Sequence, residues 1–216
     1  MILRDAVNTL DTGAAWMLYP SDPFACLLYE NAGYLIEDER REHLYERLRA
    51  LAPDAQALLA ADRAALVPIA YDGGMRPETR VERWYEIARI TLEYGGDDLT
   101  AMLRSLDAVK RRTLLCRYPT IGDPEADKIV LFCNIAPEPI ADSNALRVLE
   151  RLKLIPEITY PEQYRLAREL QRASYGNDAP ALRRAYNVLR THGSTVCRRS
   201  IASRDHCPLI AVCGTT

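Results

Sequence analysis

The sequence predicts an all-α fold. Three observations carry that reading: apolar residues recur at helical spacing, alternating strand patterns are few, and Pro, Gly and Asp clusters punctuate the periodic runs. Breakers at Pro20 to Pro23, Pro53, Asp72-Gly73-Gly74, Gly95-Gly96, Pro119 to Pro124, Pro137 to Pro139, Pro156 and Gly176 to Pro180 divide the 216 residues into roughly nine or ten helices. After Pro23, the run from Phe24 to Ile36 reads as a mostly apolar helix carrying one carboxylate, Glu30. Leu44, Tyr45, Leu48 and Leu51 share one helix face, and so do Val81, Trp84, Tyr85, Ala88 and Leu92. Pro124 suits the first turn of a helix running on from Glu125 to Phe132. Later, Leu182, Ala185, Tyr186 and Leu189 form another stripe, and core packing explains each of these stripes better than a ligand site does.

With 48% hydrophobic and 27% charged residues, the chain can bury a core as one unit or two small lobes. Its longest apolar runs, such as Ile129 to Cys133, fall far short of the roughly 20 residues a membrane helix needs. The N-terminus lacks the basic-then-apolar pattern of a signal peptide, so a cytoplasmic, nucleoid-associated location is expected. A net charge of -2 argues weakly against a polyanion partner. The distribution softens that objection. From Gln163 onward, nine Arg stand against Glu169, Asp178 and Asp205, a surplus of +6 that leaves -8 for the preceding residues. Such asymmetry fits a basic face on a mildly acidic body, or a solvated arginine-rich helix surface.

Two short segments carry chemistry. Tyr118-Pro119-Thr120-Ile121-Gly122 is a tight turn feeding a helix N-terminus, where successive backbone N–H groups form a concavity suited to a phosphate. Eighteen residues beyond Pro124, Asp142 lies just ahead of the helical Leu146-Arg147-Val148, and an Asp there reads either as an N-cap or as a catalytic carboxylate.

Together these segments resemble the core of the helix-hairpin-helix DNA glycosylases, the endonuclease III superfamily. In that family the turn reads L-P-G-V-G-x-K-T-A and a D-T-H or D-G-N segment supplies an essential aspartate. Here Thr120 replaces the first glycine, Gly122 is kept, Pro124 occupies the lysine slot and Asp142 falls on the aspartate. The resemblance implies two helical lobes with a cleft between them, one at 24–136 and the other formed by 1–23 with 137–216. It also implies a monomer acting on double-stranded DNA, with Thr120, Ile121 and Gly122 gripping the backbone. Asp142 would stabilise positive charge developing on the deoxyribose as the base departs.

The lysine of bifunctional members attacks the sugar and leads to strand cleavage, which Pro124 cannot do. Base excision with water as nucleophile follows as the leading expectation. Burial within its apolar helix would raise the pKa of Glu30 and keep it available as a proton donor. The adenine-specific mismatch glycosylases of this superfamily carry a catalytic glutamate at the same distance from a matching P-[FY] start, and read D-G-N where this chain has Asp142-Ser143-Asn144. Glu30 is therefore the candidate general acid, with Tyr29, Asn31, Tyr34 and Asn144 about the pocket of a flipped base. Two rivals remain. Lys128, one turn along from the lysine slot, could replace the missing nucleophile, or the protein could bind DNA without chemistry.

Cys26, Cys116 and Cys133 sit singly in apolar surroundings, where burial is the default. His192-Gly193-Ser194-Thr195-Val196-Cys197, followed by Cys207 and Cys213, resembles the family's iron-sulfur loop. The three thiols match the first, third and fourth ligands of a 4Fe-4S cluster, while Arg204 stands in the second slot, leaving Asp205 or His206 as candidates for the fourth ligand. Loss of the cluster, with retention of the arginine-rich loop as a DNA contact, is the other reading.

Overall fold

The computed structural model describes residues 2–13, 19–33, 36–95, 98–199, 205 and 207–213. Among them the chain forms twelve α-helices and no strand. In order these are α1 (Leu3–Leu10), α2 (Pro23–Glu30), α3 (Asp38–Leu51), α4 (Ala55–Ala60), α5 (Arg63–Tyr71) and α6 (Pro77–Ile90). The series continues with α7 (Leu99–Ser105), α8 (Ala108–Leu115), α9 (Asp123–Phe132), α10 (Ser143–Arg151), α11 (Tyr160–Tyr175) and α12 (Ala179–Thr195).

The helix count exceeds the expected one because aspartate caps cut segments that contain no breaking Pro or Gly. Asp62 accepts from the Ala64 N–H at 3.0 Å and starts α5, and Asp107 accepts from Lys110 N–H at 2.9 Å and starts α8. A third cut falls at Asn31, where α2 stops, so the helix expected to run to Ile36 ends on Glu30. The stripes are buried, with Tyr45 and Tyr85 half-buried, except for Leu51 at 41% and Leu92 at 36% exposure. Leu92 leaves its stripe because α6 runs into a π turn, Thr91–Gly95, whose wider winding rotates the following side chains off the helical register.

The chain divides into two compact units, Leu18–Ile135 and a second formed by Met1–Met17 with Ala136–Thr216. In the Leu18–Ile135 unit, Trp84 is fully buried and donates Nε1–H to the Asn31 carbonyl at 3.2 Å. Two arginines in this unit are buried as helix terminators. Arg80 donates to the carbonyls of Ala70 and Gly73, each at 2.7 Å, and Arg111 to those of Leu103 and Leu106, each at 2.8 Å. Both reach carbonyls at helix ends, and the cation suits the negative end of the helix dipole.

The core of the other unit joins Leu3, Val7 and Leu10 of α1 to Leu146 and Leu149 of α10, Ala167 of α11 and Leu189 of α12. Close approach of α10 and α12 depends on Gly193, where an added Cβ would lie 2.5 Å from the Asn144 carbonyl oxygen.

Candidate functional site

In the Leu18–Ile135 unit the turn before α9 takes a left-handed conformation at Thr120, although the residue there is not glycine. Thr120 has φ +61°, a left-handed backbone that costs a non-glycine residue roughly 1–2 kcal/mol. Asn31 secures it. The Thr120 hydroxyl donates to Asn31 Oδ1 at 2.9 Å, while Asn31 Nδ2 donates to the Pro119 carbonyl at 3.0 Å and to the Leu27 carbonyl at 3.1 Å. The Asn31 side chain is thus spent on holding the turn to the end of α2.

The N–H groups of the turn are largely engaged. Ile121 N–H donates to the Tyr118 carbonyl at 3.2 Å, and Gly122 N–H donates to Glu125 Oε2, also at 3.2 Å. Asp123 and Glu125 both lie in the first turn of α9, so carboxylates already occupy the positive end of this helix.

Glu30, the last residue of α2, meets α9 through Lys128. Lys128 Nζ lies 2.6 Å from Glu30 Oε1, and the Tyr19 hydroxyl donates to the same oxygen at 2.7 Å. The side chains of Lys128 and Glu30 are only 14% and 11% exposed. Burial alone raises the pKa of Glu30, but the Lys128 ammonium and the Tyr19 hydroxyl outweigh it and leave the carboxyl below the ordinary glutamate range. This corrects the expectation of a raised pKa: the cation that reverses the sign comes from a distant helix. Tyr29 faces inward, stacks edge-on against Tyr19 and Tyr45, and has its phenol pushed up to about 12 by burial. Tyr34 lies outside the described residues.

In the other unit Asp142 is the N-cap of α10. Its Oδ1 accepts from the N–H groups of Asn144 at 3.0 Å and Ala145 at 2.9 Å, and Oδ2 lies 3.8 Å from Arg190 Nε. One oxygen is therefore locked by the helix end while the other meets a cation at long range. The approach to Asp142 is held by α11: Gln171 Nε2 donates to the Ile140 carbonyl at 2.7 Å, and Arg168 and Arg172 both pair with Glu138. Asn144 accepts from Arg147 Nη2 at 2.7 Å.

Comparison with solved structures is decisive for the fold. A thermostable thymine-DNA glycosylase superposes with a TM-score of 0.76 at 15% identity, covering 98% of this chain and 93% of that one. A trapped endonuclease III–DNA covalent intermediate gives 0.75 at 14% identity, and a non-covalent endonuclease III–DNA complex gives 0.75 at 13%, with the same coverage. The chain has the helix-hairpin-helix glycosylase fold. No family model and no curated protein sequence matches it.

At the cysteine tail the thiols make contacts within the protein. Cys197 Sγ accepts from Arg151 Nη1 at 3.2 Å, Cys207 Sγ lies 3.7 Å from His192 Nε2, and Cys197 and Cys207 pack against the core. Among the described residues no three His, Cys, Asp or Glu side chains group so as to hold a metal ion. Asp205 is exposed, while Arg204 and His206 lie outside the described residues. Three thiols with a guanidinium on the first do not fit a four-thiolate cluster. Of the single cysteines, Cys26 and Cys133 are buried with sulfurs 3.3 Å apart, whereas Cys116, at the end of α8, is exposed, contrary to expectation.

Sequence reasoning missed Tyr19 and the α11 trio. The spacing of Arg168, Gln171 and Arg172, three and four residues apart, was the available signal, since it puts them on one helix face. No helix among the described residues is long and apolar enough to cross a membrane.

Proposed function

We propose that the protein is a base-excision DNA glycosylase that hydrolyses the N-glycosidic bond of a damaged or mispaired base. The observation that carries this reading is Asp142, held rigidly at the start of α10 by two backbone N–H groups with its second oxygen kept out of the cap. The likeness of the whole chain to solved glycosylases supports it. As the C1′–N bond breaks, its electron pair leaves with the base, and the Asp142 carboxylate stabilises the positive sugar until a water oxygen bonds to C1′ and gives up its proton to that carboxylate. Glu30 is ionised in the resting protein and has no proton of its own to give. To act as the acid for the departing base it must first take one, and Lys128 Nζ at 2.6 Å is the adjacent donor.

Incubation with duplexes carrying a panel of lesions, followed by alkaline cleavage of abasic sites, tests this directly. Release of no base from any lesion rejects it. The Lys128–Glu30 contact also favours a second reading, in which Glu30 takes the Lys128 proton, the free amine attacks C1′ as the base leaves with the C1′–N electron pair, and opening of the C1′–O4′ bond gives a Schiff base. Borohydride trapping of a covalent adduct, lost in Lys128→Met, distinguishes that reading from hydrolysis.

Two further outcomes follow from the same geometry. Neutralising a carboxylate at the α9 N-terminus with Glu125→Gln, which keeps an acceptor for Gly122 N–H, is expected to tighten duplex binding several-fold in low salt. Fluorescence anisotropy reads it, and unchanged affinity removes the hairpin from the DNA contact. The tail is expected to close without a cluster: anaerobically purified protein carries no stoichiometric iron or acid-labile sulfide and lacks cluster absorbance. Iron near four per chain overturns that expectation.

A further inference from the structure

The stretch that leads into Asp142 has little means of holding itself in place. Pro137 and Pro139 lack N–H groups, and Glu138 N–H turns back on the Ala136 carbonyl at 2.9 Å. Its anchorage comes from α11, through three side chains spaced three and four residues apart on one helix face. Gln171 Nε2 donates to the Ile140 carbonyl at 2.7 Å, Arg168 Nε to the Pro139 carbonyl at 3.3 Å, and Arg172 Nη1 to the Pro137 carbonyl at 2.8 Å. Glu138 Oε2 in turn accepts from Arg168 Nη2 at 2.7 Å and from Arg172 Nη2 at 3.2 Å. One helix thus grips the carbonyls of Pro137, Pro139 and Ile140 and the side chain of Glu138.

The helix is a firm base for this grip. Ala167, one turn before Gln171 on the same face, lies in the core with Leu146 and Leu149 of α10, the helix that Asp142 caps. The carbonyl that Gln171 holds stands two residues ahead of Asp142, and Ile140 and Ala141 are both buried. Gln171 is itself fully buried, and its Oε1 has no hydrogen-bond partner among the described residues. The amide therefore gains one hydrogen bond and strands one acceptor, which adds little to stability while fixing the Ile140 carbonyl in space. Fixed position is what a carboxylate facing a sugar carbon requires, since a misplacement of about 1 Å costs on the order of 100-fold in rate.

We propose that Gln171, supported by the Glu138 pairs with Arg168 and Arg172, is a positioning residue for the Asp142 carboxylate. The assignment rests on the reading of Asp142 as the catalytic group. Gln171 acts through the backbone: the held Ile140 carbonyl sets the orientation of the peptides leading into Asp142, and that orientation seats Oδ1 on the N–H groups of Asn144 and Ala145 and leaves Oδ2 outside the cap. Release of the carbonyl loosens both cap bonds, so these two amides report on the position of the carboxylate independently of any chemistry.

The test uses Gln171→Met, which nearly conserves volume and removes the donor and the stranded acceptor together, so its melting midpoint should stay close to that of the wild type. Amide hydrogen exchange at Asn144 and Ala145 is expected to quicken several-fold, while Val188 and Leu189 inside α12 of the same unit keep their wild-type rates. On a lesion-bearing duplex, the single-turnover rate of base release is expected to fall roughly 10- to 100-fold with duplex affinity unchanged. Glu138→Gln, which removes the charge that both guanidinium groups face, is expected to move both readouts the same way by less, and it carries the test if Gln171→Met does not fold. Wild-type exchange at Asn144 and Ala145 in the folded variants overturns the proposal, as does a wild-type rate of base release alongside quickened exchange. Exchange quickened equally at Val188 and Leu189 also overturns it, because Gln171 is then support for the whole unit. Quickened exchange confined to the two cap amides, in a protein whose wild type releases no base, sustains the positioning and sinks the glycosylase reading alone.

Discussion

Asp142→Asn is expected to lower the rate of base release roughly 100- to 1,000-fold, the scale of losing one electrostatic stabiliser of the transition state, while leaving the fold intact. The substitution separates two roles that the same side chain holds. As the N-cap of α10, Asp142 uses Oδ1 to accept from Asn144 and Ala145, and asparagine caps a helix about as well as aspartate. As a catalytic carboxylate it works through its negative charge, which asparagine lacks. Asp142→Ala is expected to lose both the rate and about 1 kcal/mol of stability. Single-turnover base release and denaturant unfolding of the two variants check this. A wild-type rate in Asp142→Asn, with destabilisation confined to Asp142→Ala, reduces Asp142 to a cap.

Lys128→Met is expected to destabilise the protein by about 3–5 kcal/mol, because it leaves the Glu30 carboxylate buried without the ammonium that pairs with it. The double variant Glu30→Gln/Lys128→Met is expected to regain much of that loss, since replacing a buried pair outright is far less costly than breaking it. The pH dependence has a definite sign. In the wild type the folded pKa of Glu30 lies below its ordinary 4.5, so the pair stabilises the fold above that pH and the contribution is lost as pH falls through the folded value. In Lys128→Met, burial raises that pKa instead, so the carboxyl is protonated at mildly acidic pH and the variant recovers relative to the wild type on acidification. Urea unfolding over a pH series checks it. A stability difference independent of pH would mean that Glu30 is not the group left unpaired.

The all-α architecture was legible because helical periodicity and Pro or Gly breakers are local signals. The missed boundaries were legible too, in chemistry the breakers do not capture: Asp62 and Asp107 end one helix and start the next by accepting backbone N–H groups. The left-handed residue at Thr120 could be located only through the hairpin pattern, since threonine itself disfavours that conformation.

The sequence by itself determined the helices, the turn ahead of α9 and the place of Asp142 at a helix start, because each depends on neighbours a few residues away. Tertiary structure alone decided what surrounds the chemistry. Glu30 reads as a buried acid on its own helix and becomes an ionised partner of Lys128 once α9 packs against it. Asn31 is found to clamp the hairpin turn to the end of α2. The arginines of the Met1–Met17 and Ala136–Thr216 unit, indistinguishable in sequence, include five that meet carboxylates and four that line one cavity. Charge state and hydrogen bonding depend on groups brought close in space, and a charge's environment is not encoded in the residues adjacent to it in the chain.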